Sequence, residues 1–107
     1  MNVFFGSIFI KKEELKEAKI NYPIKLEYYK IINEDEFINK DKFKFGIKIV
    51  KTEYKGEKPN IEEKSIIYLS NDEGKIEKIL NILKNNEVTP VCMQEIIYEF
   101  SKSLLHI

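Results

Sequence analysis

The sequence contains no arginine and no tryptophan, although 18 of its 107 residues are basic, all of them lysine. Planar two-pronged binding of phosphate, carboxylate or guanine is therefore excluded, because lysine acts only as a hydrated point charge. Basic and acidic residues balance at 18 each, which argues against a strongly basic nucleic-acid binder. Aromatic recognition depends on six tyrosines and seven phenylalanines.

Cysteine and histidine each occur once, as Cys92 and His106. A lone cysteine cannot form an internal disulfide, which predicts a reducing, cytoplasmic compartment. The two residues lie at opposite ends of one predicted helix, roughly 20 Å apart, so a Cys–His dyad within one copy is excluded. We expect Cys92 to be a buried or half-buried structural residue.

Cofactor and metal sites are not predicted, because Glu95, Glu99 and His106 are too few ligands to hold a metal. The acidic clusters at residues 13–14, 34–36 and 62–63 fall in predicted turns or strand starts, where water keeps carboxylates ordinary. The four glycines are scattered and form no phosphate-binding loop. The sequence therefore predicts a protein that is not an enzyme.

A single soluble domain over residues 1–107 is predicted from the length and from the 43% apolar and 34% charged residues. The apolar run at residues 3–10 has no basic region or cleavage site, and it is far shorter than the roughly 20 residues that span a bilayer. We therefore expect no membrane association. Residues 1–19 are either a strand plus a charged connection or a detachable arm.

Alternating apolar and polar residues predict three or four antiparallel strands in the first two thirds of the chain. These strands span residues 3–11, 20–32, 42–55 and 61–69. On the third strand, the core face carries Phe43, Phe45, Ile47 and Ile49. Its solvent face carries Lys42, Lys44 and Lys48, which we expect to lie beside Glu27 and Glu62 across neighbouring strands.

The pattern changes to helical spacing at Ser70, which with Glu73 fits a capping box. The first helix has an apolar stripe of Ile76, Ile79, Leu80 and Leu83. Thr89 and Pro90 open a second helix as its N-cap and first helical residue. Its stripe consists of Met93, Ile96, Ile97, Phe100 and Leu104. The predicted fold class is α+β, an antiparallel sheet followed by a C-terminal helical hairpin packed on one face.

Four segments of the chain carry a resemblance to a known family: FGIKIVKTEY, IIYLSNDE, the helix KIEKILNILKNN, and VTPVCMQEIIYEF. On these segments the chain resembles, over about residues 43–105, a small clostridial family of uncharacterised proteins with a domain of unknown function. The resemblance implies a bacterial cytoplasmic setting. It implies no activity, because a helix followed by VTP and a second helix is a motif of form without chemistry.

The first predicted strand is apolar on both faces, which is unusual for a strand with one buried face. Either both faces are covered, or one face or the edge is a protein interface containing Val3, Phe5 and Phe9. The leading hypothesis is a small interaction or regulatory module, either binding another protein or forming a homodimer through this strand.

Two further hypotheses remain open at this point. Nucleic acid would bind the face with Lys42, Lys44 and Lys48 if Tyr29 and Tyr54 shared that face, because single-strand binders combine lysines with exposed rings. An enzyme using Cys92 would require a thiol that reacts well below neutral pH.

Overall fold

Four strands and two helices make up the fold, seen in a computed structural model that describes residues 1–11, 13–14, 19–20, 22–34 and 43–101. In chain order the elements are β1 (Asn2–Ile10), β2 (Ile24–Ile32), β3 (Phe45–Glu53), β4 (Asn60–Ser70), α1 (Glu73–Asn85), a 3-10 turn (Pro90–Cys92) and α2 (Met93–Ser101). The strands form one antiparallel sheet in the order β1-β2-β3-β4. The α+β prediction is confirmed, and residues 2–10 belong to the sheet as an edge strand.

The core lies between one face of the sheet, here called the helix face, and the apolar stripes of the helices. Alternation in the two central strands builds this face, as predicted, because side chains two residues apart point to the same side. The buried core residues include Ile24, Leu26 and Tyr28 of β2, Ile47 and Ile49 of β3, and Ile76, Ile79, Leu80 and Leu83 of α1. Met93 and Ile97 of α2 complete the same cluster.

Tyr28 links the centre of the sheet to the segment between the two helices through a hydrogen bond. Its ring is fully buried, and its hydroxyl donates a 2.9 Å hydrogen bond to the carbonyl oxygen of Val88. Burial raises the pKa of the Tyr28 hydroxyl far above its usual range, with the charge of Glu87 acting in the same direction. The environment therefore favours the neutral hydroxyl, which is the form that donates this hydrogen bond.

The start of α1 differs from the predicted capping box. Asp72 is the N-cap, and its Oδ1 accepts a 3.2 Å hydrogen bond from the backbone N–H of Lys75. Ser70 ends β4, and its hydroxyl oxygen accepts from the backbone N–H of Asp72. The capping box failed because the strand continues through Ser70, so the first residue free to adopt the cap conformation comes two positions later.

The second helix also begins later than predicted. Pro90 opens a 3-10 turn, Thr89 makes no capping bond through its side chain, and α2 starts at Met93. Cys92 is the last residue of that turn and is exposed, so the expectation of a buried or half-buried cysteine is wrong. The core stripe begins one residue later, and Cys92 therefore points away from the sheet. Leu104 and the side chain of Phe100 lie outside the described part of the chain.

Gly46 marks a close approach between β3 and β4. The pairing is irregular here, because Ile47 lies opposite Ile66 whereas Phe45 lies opposite Ser70. A Cβ atom built on Gly46 would overlap the carbonyl oxygens of Ile66 and Ile67. Only glycine fits such a contact. Phe43, predicted for the core face, precedes this point and is exposed, because β3 begins two residues after it.

We expect Gly46→Ala to lower the free energy of unfolding by about 3 kcal/mol, since main-chain atoms of β4 must move to admit the methyl group. Urea denaturation followed by circular dichroism measures the change. Gly74→Ala in the first turn of α1 is the control, and we expect a change within about 1 kcal/mol because alanine favours helix. Equal stability of Gly46→Ala and the wild type would contradict the close approach.

Candidate interaction site

The sheet face opposite the helix face, here called the open face, is not covered by either helix in the described part of the chain. Cross-strand pairing places on it the residues of four strands in matching rows. Its members include Phe4, Ser7 and Phe9 of β1, Lys25, Glu27, Tyr29 and the buried Ile31 of β2, Lys48, Val50 and Thr52 of β3, and Ile61, Glu63 and Ser65 of β4. Tyr54, just beyond β3, extends the same face.

Two aromatic pairs line the β1 side of the open face, and we call these four residues the β1 patch. Phe4 meets Tyr29 edge to face, with ring centroids 5.7 Å apart, and Phe9 meets Tyr54 at 6.2 Å. Phe4 and Phe9 remain 56% and 55% exposed, although both lie in a regular strand. Exposed rings of this size clustered on one surface are typical of a contact site.

A bulge in β1 decides which of its phenylalanines are exposed. The register against β2 shifts between Phe4 and Gly6, so that Phe5 turns inward and packs against the core. Val3 is half-buried and lies opposite Lys30, whose amino group faces α1. Of the predicted interface residues Val3, Phe5 and Phe9, the structure therefore places only Phe9 on the open face, where Phe4 joins it.

Charges on the open face are paired. Lys48 Nζ lies 3.4 Å from Glu63 Oε2, and Lys25 Nζ lies 4.0 Å from Glu27 Oε2. Glu27 also accepts a 2.8 Å hydrogen bond from the Tyr29 hydroxyl, which raises the pKa of Tyr29. These contacts leave the face close to electrical neutrality.

The predicted lysine face is only partly assembled. Lys48 lies on the open face with Glu27, as expected, whereas Lys42 lies outside the described residues. Lys44 is exposed before β3, with its Nζ 5.7 Å from the centroid of the Phe45 ring. The prediction for Glu62 is wrong, because its register opposite Lys51 puts it on the helix face. At an irregular strand end, alternation alone does not predict on which face of the sheet a residue lies.

The outer edge of β1 is unusual in carrying no charged residue and no proline from Asn2 to Ile10. The other edge strand, β4, contains Glu62, Glu63 and Lys64, and Pro59 precedes it. Charges and proline on an edge strand prevent pairing with another chain. The β4 edge of the sheet is therefore protected against strand pairing, whereas the β1 edge is able to accept a strand.

A polar cluster around Glu53 lies on the helix face, and sequence reasoning missed it. The Glu53 side chain is only 9% exposed and accepts a 2.9 Å hydrogen bond from Asn60 Nδ2. Lys51 and Lys55 lie 3.8 Å and 3.7 Å from its two oxygens. A hydrogen bond from Tyr22 is the main cause that holds the pKa of Glu53 below its usual range.

These contacts favour the ionised form of Glu53, whereas a general acid needs a raised pKa. The hydrogen bond with Tyr22 and the charge of Glu53 also raise the pKa of Lys55, whose Nζ lies 4.8 Å from the Tyr22 ring centroid. In the described residues no three acidic, histidine or cysteine side chains are grouped to hold a metal. His106 lies outside those residues, and Glu95 and Glu99 are exposed.

None of the helices in the described part of the chain is long and apolar enough to cross a membrane.

Glu53 makes the stability of the fold dependent on acid pH. Its pKa is lower in the folded chain than the value of about 4.3 expected when unfolded, so its contribution is present above that pH and is lost as pH falls through the folded pKa. We expect Glu53→Gln to lower the free energy of unfolding by about 1–3 kcal/mol at pH 7 and by much less at pH 3. Urea denaturation at both pH values measures this. The exposed Glu57→Gln is the control, and an equal loss at both pH values would contradict the role of the charge.

Comparison with known proteins returns a match to one family model. No curated protein and no solved structure is significantly similar to the chain. The match covers residues 5–103, so it includes β1 from Phe5 onward and extends well before the segment 43–105 on which the resemblance was based. The clostridial origin that the resemblance implied is not part of this match. The chain belongs to the family described as a family of unknown function, DUF6514.

Proposed function

We propose that this chain is a small non-enzymatic interaction or regulatory module that binds a protein partner through the β1 patch and the outer edge of β1. The observation that carries the proposal is the pair of half-exposed phenylalanines, Phe4 and Phe9, on an edge strand without charges. An incoming strand would hydrogen-bond to the edge while its side chains cover the rings, which is the β-augmentation mode of recognition.

The pairing of charges supports a protein partner of modest charge. Because Lys25 pairs with Glu27 and Lys48 pairs with Glu63, the open face has no excess positive potential to attract a polyanion.

The cytoplasm of a clostridial bacterium is the proposed setting. The single cysteine and the abundance of lysine and isoleucine support it, since AT-rich codon usage produces that bias.

Phe9→Glu tests the proposal, because it places a charge in the β1 patch beside Lys25, which lies directly opposite in β2 and can pair with it. Ile61→Glu is the matched control, since Ile61 is 59% exposed on the same face but at the β4 edge. We expect the wild type and Ile61→Glu to capture the same proteins from nuclease-treated native lysate. We expect Phe9→Glu to fail to capture them. Circular dichroism checks that all three chains keep their helix content. Equal recovery by Phe9→Glu and the wild type would contradict the proposal.

A single strand of nucleic acid on the open face is the second candidate function. Tyr29 and Tyr54 do share a face with Lys48, which is the arrangement that stacking of bases requires. The ion pair of Lys48 with Glu63 weakens this candidate, because binding a phosphate would compete with a carboxylate 3.4 Å away.

Titration of a fluorescent single-stranded oligonucleotide distinguishes the second candidate. Nucleic-acid binding through this face predicts affinity that falls with rising salt and falls further in Lys48→Ala and Lys44→Ala. Lys64→Ala, on the helix face of β4, is the control and leaves such binding unchanged. Absence of binding at low salt, or equal affinity in all variants, excludes this candidate.

A further inference from the structure

The outer edge of β1 has the properties of a strand that pairs with its own copy. We propose that the partner at this edge is a second copy of the chain, with the two β1 strands antiparallel across a two-fold axis. The two sheets then join into one continuous sheet, with the helices of both copies on the same side. This inference rests on the proposed function, because it names the partner of the same surface.

The bulge limits pairing to the second half of β1. Residues 6–10 keep an unbroken register with β2, from Gly6 opposite Tyr28 to Ile10 opposite Ile24, whereas the shift at Phe4/Gly6 interrupts the first half. An incoming strand needs regular main chain at the edge. A two-fold axis at Ile8 gives every residue of this segment a partner, with Gly6 opposite Ile10 and Ser7 opposite Phe9 of the other copy.

Side chains on the open face fit this register. Phe9 would cover Ser7 of the other copy, and the two Phe9 rings would become diagonal neighbours, roughly 7–8 Å apart and within reach of aromatic side chains. Ser7 is small and exposed, so it leaves space for a ring. Phe9, half-exposed in one copy, thereby lies close to the centre of the joined sheet.

Charges support a second copy as the occupant. No charged residue lies in the segment 6–10, so pairing brings no like charges face to face. Each row across the interface between the copies then contains four residues in order: Lys25 and Phe9 of one copy, followed by Ser7 and Glu27 of the other. The two charges at the ends of the row have opposite sign and stand three strands apart, roughly 14 Å, so the pairing brings no repulsion into the row. The edge strand β4 instead carries Glu62, Glu63 and Lys64, and charges on an edge strand disfavour pairing with another chain.

Sedimentation or light scattering of the full chain over a concentration series tests the inference. We expect the wild type to dimerise and Ser7→Lys to dimerise at least tenfold more weakly, because a lysine on the edge blocks strand pairing. Ser65→Lys is the matched control, since Ser65 is an exposed serine on the same face of the other edge strand, and we expect it to behave as wild type.

Cross-linking tests the register directly. In a Cys92→Ser background, Ser7→Cys should be joined to its own copy by a short bis-maleimide much faster than Ser65→Cys. Equal rates for the two cysteines would overturn the β1 pairing. So would a dimer that Ile61→Glu breaks and Ser7→Lys does not, which would show face-to-face packing of the open faces.

The two proposals fail in different ways. A wild type that stays monomeric, yet captures a protein that Phe9→Glu loses, overturns self-pairing and leaves the proposed function standing. A monomer whose captured proteins are unaffected by Phe9→Glu overturns both.

Discussion

The structure depends on packing a four-stranded sheet with two helices that reach only one of its faces. The apolar stripe of α1 crosses β1 to β4 on the helix face, and the short α2 adds Met93 and Ile97 to the same core. In the described part of the chain, the helices cover one side of the sheet. The alternation that buries Leu26 and Ile49 therefore also places Tyr29 and Lys48 on the open face. The core and the candidate site are two consequences of one period-two pattern.

Local pattern was enough to predict the sheet and the core stripes. Strand and helix identities followed from periods of 2 and 3.6, and the buried residues of β3 and α1 in the core cluster were predicted by name. Errors arose at the element ends. The start of α1 was misplaced because β4 includes Ser70, so that the N-cap is Asp72, two positions later. Thr89 failed as a cap because a 3-10 turn intervened. At such ends, the local sequence fits more than one boundary, and packing with the rest of the fold determines where the element begins or ends.

The sequence predicted which strand contains the candidate site, but not which residues of that strand are exposed there. Alternation assigned Phe5 and Phe9 to one surface, whereas the bulge moved Phe5 inward and exposed Phe4 in its place. The signal was present in Gly6, since a glycine inside a strand often marks a bulge. Glu53 carried no comparable signal. Its neighbours Tyr22 and Asn60 come from distant parts of the chain, and only the folded sheet brings them together.

The energies of the proposed contact are those of a reversible interaction. Each main-chain hydrogen bond at the edge contributes about 1 kcal/mol net, and covering a half-exposed phenylalanine adds about 1 kcal/mol. Association costs about 4–15 kcal/mol in lost freedom of motion, so five residues of strand pairing alone fall short of tight binding. The exposed Phe9 rings must therefore be covered in the same event. Because edge and rings contribute comparably, a single charge in either region shifts the equilibrium toward the free chain, and occupancy then follows the concentration of the partner.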